Sequence, residues 1–288
     1  MKRREFLAGV AAAGLLPHAL TKTMTAAAAP RPEPLKLGLA SYSVRNFKTL
    51  EQAIDFARKL EVKYINYKDV HLPRTLPTEE LKAAKAKTEA AGLTLMGGGT
   101  INMVKNDEAA IRKDFEYAKH AGFPLIVAAP SHESLDTVEK LAKEFKIKIA
   151  IHNHGPEDKF FPSPYDVYKA VKARDPLMGL CIDVGHTVRT GADPAKAVID
   201  CKDRVYDFHV KDLRIFKDVP SEKAKDSQCI IGKGAIDFPT LFRALLKINF
   251  QGHVGMEYEI DANDPLPGML QSIAYMRGVL AGLAPATS

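Results

Sequence analysis

Four short runs in this 288-residue chain carry an apolar stretch straight into a histidine or an acid. Residues 147–154 read IKIAIHNH, 180–186 LCIDVGH, 205–212 VYDFHVKD and 254–259 VGMEYE. Apolar, β-branched runs of this length suit buried parallel strands. Polar groups at the ends of such strands are costly unless they bind something. If the four runs lie side by side, His152, Asp183, His209 and Glu257 converge and can hold one divalent metal ion. Two imidazoles with two carboxylates suit Mn²⁺, Zn²⁺, Co²⁺ or Fe²⁺, whereas a soft-metal site would need thiolates. One ligand from each of four strands leaves coordination positions open, as a catalytic site requires. The blander alternative is four residues satisfied by hydrogen bonds to nearby loops.

The elements that must position these residues follow the same logic. Strand-like runs end near residues 41, 66, 97, 128, 152, 183, 209 and 257, and amphipathic helical patterns lie between them. Leu50, Ala53, Ile54, Ala57 and Leu60 make one such apolar face. Thr78 reads as the cap of the second helix, and Gly92 as its end. Ser163-Pro164, Asp193-Pro194 and Asp264-Pro265 are each a cap residue followed by proline at the first helical position. Eight such βα units imply a single α/β domain, a closed (β/α)8 barrel over residues 35–288. An open dinucleotide-binding sheet would carry a Gly-rich turn after the first strand, and Ala40-Ser41-Tyr42-Ser43 has none. The last strand-to-strand interval is the long one. It holds a charged insertion, residues 214–233, which reads as a lid or an interface.

In such a barrel the chemistry sits at the C-terminal ends of the strands. Polar residues there add Ser41, Tyr42, Lys68, His71, His154, His186 and Lys211 to the four candidate ligands. In Asp183-Val-Gly-His186, Gly185 lets the chain turn and His186 faces a bound ligand.

Composition bounds the rest. Hydrophobic residues make up 46% and charged residues 26%, ordinary for a soluble globular protein. Residues 1–29 open with twin arginines, Arg3-Arg4-Glu5-Phe6-Leu7, then an apolar stretch and an alanine run. That pattern is expected of a twin-arginine signal peptide and export to the periplasm. Its apolar stretch is too short to span a bilayer, so no stable membrane insertion is expected after processing. Residues 30–34, PRPEP, read as a stiff linker. The net charge of +6 falls to about +3 without the signal, which is no footprint for nucleic acid. Three cysteines, Cys181, Cys201 and Cys229, form no metal-binding spacing, and a Cys201–Cys229 disulfide is open.

Asp-x-Gly-His after the sixth strand, Phe208-His-Val-Lys-Asp212 at the seventh and Glu257 after the eighth resemble the sugar phosphate isomerase/epimerase family of xylose isomerase-like TIM barrels. Gly232-Lys-Gly-Ala-Ile-Asp237-Phe matches that family's Gly-x-Gly-x-x-Asp-Phe turn. The resemblance covers nearly all of residues 35–281. It implies that Asp183, His209 and Glu257 are metal ligands and that His186 contacts substrate oxygens. It also implies a metal-dependent isomerase or epimerase that removes a proton next to a carbonyl through a metal-stabilised enediolate. Epimerases of the family usually carry Glu where this chain has His152, so a two-carboxylate proton shuttle is in question. His-Asn-His there is more like inosose dehydratase relatives, which makes a hydratase or lyase on a keto-sugar or 3-keto-glycoside the alternative. An endonuclease IV-like barrel, third, is disfavoured by export, weak charge and missing ligands, and a non-catalytic sugar-binding barrel stands fourth. His154 is the first choice of base, with Lys68 second and Glu257 third. Tyr42, His71, His186 and Lys211 are expected to bind a small sugar or keto-sugar. The family often forms homo-oligomers, and nothing in this chain decides its own state.

Overall fold

The computed structural model of the protein describes residues 34–283, so the expected signal peptide and most of the linker lie outside the described residues. Eight parallel strands close into a barrel: β1 Lys36–Ala40, β2 Tyr64–Tyr67, β3 Thr94–Met103, β4 Leu125–Pro130, β5 Lys148–His152, β6 Met178–Asp183, β7 Val205–Val210 and β8 His253–Met256. They neighbour one another in chain order, and β8 returns to pair with β1. Helices on the connections make this a (β/α)8 TIM barrel.

Two packing regions hold it together. The larger lies between strands and helices and buries side chains such as Phe115, Phe208, Phe238 and Phe242. The smaller is a separate cluster of Leu125, Val127, Ala150 and Cys181. Ala150 and Cys181 each sit two residues before a candidate ligand, His152 and Asp183, and so share its face of the strand. Polar Asp207, His209 and His253 alternate in the same way along β7 and β8, and all are buried. The ring of His253 takes the space a side chain at residue 38 would need: a Cβ on Gly38 would lie 2.4 Å from its Nε2.

Local chemistry sets the helix starts. Ser163 and Asp166 form a reciprocal capping box at Pro164–Val171, and Asp193 caps Pro194–Asp200. Asp237 accepts from Thr240 N–H at the start of Phe238–Lys247.

Two local expectations change, and one open question closes. Thr78 is the first residue of its helix, behind Pro77, and makes no cap bond. β3 runs on through Gly97-Gly98-Gly99 to Met103 because β4 keeps pairing with it, with a register shift between Gly98 and Ile101. Cys201 and Cys229 are free, buried thiols, so the disulfide left open does not form. The insertion after β7 carries a two-stranded ribbon, Asp212–Leu213 with Gln228–Cys229, and a short helix, Ser221–Lys225. No described helix is long and apolar enough to cross a membrane.

Candidate active site

Strand register brings the four runs together. His152 pairs with Cys181, Asp183 with His209, and Gly255 with His209, so adjacent strands deliver their polar ends at one level. Ligand atoms of His152, Asp183, His209 and Glu257 all lie within 4.8 Å of one another. His152 Nε2 is 3.2 Å from His209 Nδ1 and 3.4 Å from Asp183 Oδ2. His209 Nδ1 is 3.4 Å from Glu257 Oε2.

All four side chains are buried. Two imidazole nitrogens facing each other share at most one proton in a hydrogen bond, so lone pairs converge on the same space. Asp183 Oδ2 is buried without an aligned hydrogen bond. A divalent cation fits this donor set.

Lysine lies between the carboxylates. Lys211 Nζ is 2.7 Å from Glu257 Oε2 and 3.1 Å from Asp183 Oδ2, and pairs with Glu259 as well. Lys211 and Glu259 each sit two residues past a ligand on the same strand direction, one layer further out. Burial would push Asp183 and Glu257 upward, but Lys211 and the adjacent histidines hold both carboxyls below their usual range. His152 is lowered as well, but here by burial, with His154 adding, which pushes it down to about 4.

Second contacts fix the ligands. Asn153 Oδ1 accepts Asp183 N–H at 3.0 Å, and its Nδ2 donates to Thr187 Oγ1 at 3.2 Å. The amide between the two histidines thus ties β5 to the end of β6. Asp183 Oδ1 accepts His186 N–H at 2.8 Å and caps the short helix Val184–Arg189, so the turn expected at Gly185 is helical. Asp207 Oδ1 lies 3.9 Å from His209 Nε2, on the far side of the ring.

A cavity of about 270 Å³ opens above the cluster. That is near the lower bound for small-molecule pockets, roughly 300 Å³ upward. Tyr42, Lys68, His154, His186, Lys211 and Glu259 line it together with His152, His209 and Glu257. His154 Nδ1 lies 3.2 Å from Asp158 Oδ2, and its ring lies 4.3 Å from that of His152, tilted by 47°. Burial acts to raise Asp158, but His154 and the Phe160 and Phe161 N–H groups hold it down at about 2. His186 is pushed down to about 3 by burial, against the pull of Asp183 and with Lys211 adding. Lys68 Nζ donates to the Thr100 carbonyl at 2.6 Å.

One expected substrate contact is not at the cavity wall. His71 is buried behind Ser41, whose hydroxyl accepts Lys68 N–H and meets His71 Nδ1 at 2.9 Å. The other ring nitrogen reaches the Val44 carbonyl at 3.3 Å. With both nitrogens used internally, His71 props the first two strand ends instead of touching a ligand. Conversely, Glu259, Arg189 and Thr100 have no local motif, and their places emerge only from the packing of separate loops.

The family model for the xylose isomerase-like TIM barrel matches residues 54–279. Inosose dehydratase from Clostridium tetani is 30% identical over 139 residues, 45% of this chain and 46% of that protein. The chain thus spans about half the length of the curated relatives it matches. An uncharacterized protein from Parabacteroides distasonis superposes with a TM-score of 0.64 and 25% identity, over 85% of this chain and 99% of that one. The 3-keto-D-glucoside 4-epimerase of E. coli shares the fold, with a TM-score of 0.65, 16% identity and coverage of 85% and 99%. A match over residues 54–279, well over half of the sequence, makes this chain a member of the xylose isomerase-like TIM barrel family.

Proposed function

We propose that the protein removes a proton from the carbon next to a carbonyl in a small keto-sugar, with a divalent metal held by His152, Asp183, His209 and Glu257. The observation that carries this reading is His154. Its imidazole is 35% exposed at the cavity wall, beside the buried cluster, and its Nδ1 faces a carboxylate held low. A carboxylate at Nδ1 keeps the proton there and leaves the Nε2 lone pair to accept. When bound, the cation would supply Lewis-acid polarisation of the substrate's carbonyl and hydroxyl oxygens.

His154 takes the proton, and Asp158 stabilises the imidazolium that forms. Glu257 is committed to Lys211 and His209, so it is a weaker candidate base than His154. Lys68, an N–H donor in the cavity lining, can give a hydrogen bond to a substrate oxygen. Return of the proton at the same or a neighbouring carbon yields an epimer or isomer, the reading we put first. Loss of a β-hydroxyl as water, with a proton delivered to it, yields an enone. That second reading is favoured by His152 at the β5 position and by the likeness to inosose dehydratase.

The test is deuterium uptake. Purified protein is assayed for metal, loaded with Mn²⁺ and incubated in D₂O with D-fructose, D-psicose, L-ribulose, an inosose and a 3-keto-glucoside. Exchange with an epimer or isomer supports the first reading, and exchange with an enone the second. A metal-loaded protein that exchanges none of them overturns both and leaves a binding barrel. We also infer export through the twin-arginine start; Arg3→Lys/Arg4→Lys is expected to retain the protein in the cytoplasm on fractionation.

A further inference from the structure

Arg189 ends the short helix that Asp183 caps, one turn beyond His186. Its side chain is only 2% exposed. Nη1 lies 2.8 Å from His186 Nδ1. Nη2 pairs with Glu157, from the loop after β5, and lies 2.8 Å from Ser221 Oγ, from the insertion after β7. Ser221 Oγ in turn donates to Glu157 at 2.8 Å. The guanidinium is therefore gripped by two loops that approach the cavity from different strands. The β5 loop leaves room for it: at Gly155, φ is +89° and a Cβ would stand 2.9 Å from Nη1 and 3.2 Å from His186 Nδ1.

A guanidinium has five N–H donors and no acceptor. At 2.8 Å, His186 Nδ1 must therefore be the acceptor, because two donors would repel. The proton of the ring is left on Nε2. Among the described residues, Nε2 has no hydrogen-bond partner, and the ring lines the cavity. His154 stands 5.9 Å away, ring to ring, with the opposite partner, a carboxylate at its Nδ1.

We infer that Arg189 is a positioning residue that holds His186 in the Nε2–H form, so that His186 meets a substrate oxygen as a donor while His154 remains the acceptor. One imidazole is thereby set for proton removal and the other for stabilising negative charge on oxygen, by charges of opposite sign behind them. The part about substrate rests on the proposed carbonyl chemistry; the ring form does not.

The experiment reads the ring directly. Protein labelled with ¹⁵N-histidine is examined by two-bond ¹H–¹⁵N correlation, with His186→Gln used to assign the His186 signals. The expected native pattern has the proton on Nε2 and a bare Nδ1. Arg189→Lys, which still offers only donors, should keep that pattern, and Arg189→Met should give a mixture of the two ring forms. A proton on Nδ1 in the native protein overturns the inference, as does an unchanged pattern in Arg189→Met. Should Arg189→Met not fold, Glu157→Gln/Ser221→Ala releases the guanidinium from its anchors. A mixed pattern there supports the clasp, and a single Nε2–H form overturns it. Absence of sugar exchange would remove the carbonyl chemistry and leave these spectra as they are, so the two failures are distinguishable.

Discussion

His154 faces a carboxylate, whereas Lys211 faces three, and the two residues respond to substitution differently. His154→Gln keeps a polar group at the wall but cannot accept a proton. Exchange into a competent keto-sugar is expected to fall by about 10²–10⁴-fold with an unchanged melting temperature. Native exchange rates in that variant would remove His154 from the role of base. Lys211→Met leaves Asp183 and Glu257 buried with their cation gone. Breaking a buried ion pair by removing one partner costs roughly 3–5 kcal/mol. Urea melts of the metal-free protein should show that loss, and added Mn²⁺ should recover part of it by supplying the missing positive charge. An equal loss with and without Mn²⁺ would separate the lysine from the cation site. The types of these residues were plain in the sequence, because each ends an apolar run. What their ring nitrogens and ammonium face was not, since Asp158 is four residues from His154 in a loop and Glu259 belongs to a different strand.

At the level of elements, the loop after β5 works through its backbone as much as its side chains. Gly155 holds a left-handed conformation against Arg189, and Asp158 Oδ1 takes the N–H groups of Phe160 and Phe161 at 2.7 and 3.1 Å. Gly155→Ala combines a strained φ with a clash and is expected to cost about 1–3 kcal/mol. Its thermal melt should drop, and the His186 ring signals should shift with it. An unchanged His186 signal would mean the loop can recoil without moving the arginine. The caps show what was readable beforehand: Ser163 and Asp193, each a polar residue before a proline, do start their helices. The helix from Val184 to Arg189 was unreadable, because it is six residues long and depends on Asp183 Oδ1 as its cap.

For the whole molecule, the titration of the buried cluster is coupled to stability and, on the proposed metal site, to cation binding. Burial pulls His209 down, but the Glu257 carboxylate 3.4 Å from its Nδ1 opposes that, and the ring is held above the ordinary histidine value. Stability from a raised histidine is complete below its unfolded value and is lost as pH rises through the folded one. Asp183 and Glu257 are depressed, so their contribution is present above the usual carboxylate range and is lost as pH falls through their lowered values. Above the ordinary histidine value the metal-free protein loses the His209 contribution, and below it the lowered His152 and His186 cost stability, so it should be most stable near that value. A divalent cation taken up by the cluster near pH 7 would displace the His209 proton. Calorimetry in buffers of different ionisation heat should record proton release on binding, and none would contradict His209 as a ligand. Saturating metal should also raise the melting temperature, with about 2.7 kcal/mol gained at a hundredfold excess over Kd.

Sequence alone determined the barrel and the strand ends that carry the cluster, because hydrophobic period and cap chemistry are local and each run points to one element. It determined the types of the four converging side chains for the same reason. Only the tertiary structure decided that His71 is used up behind Ser41, that Lys211 stands among three carboxylates, and that Arg189 reaches His186 between two loops. Those facts are relations between segments up to 64 residues apart, as for Glu157 and Ser221. Hydrogen-bond direction and burial exist only once the barrel has closed and brought such segments into contact.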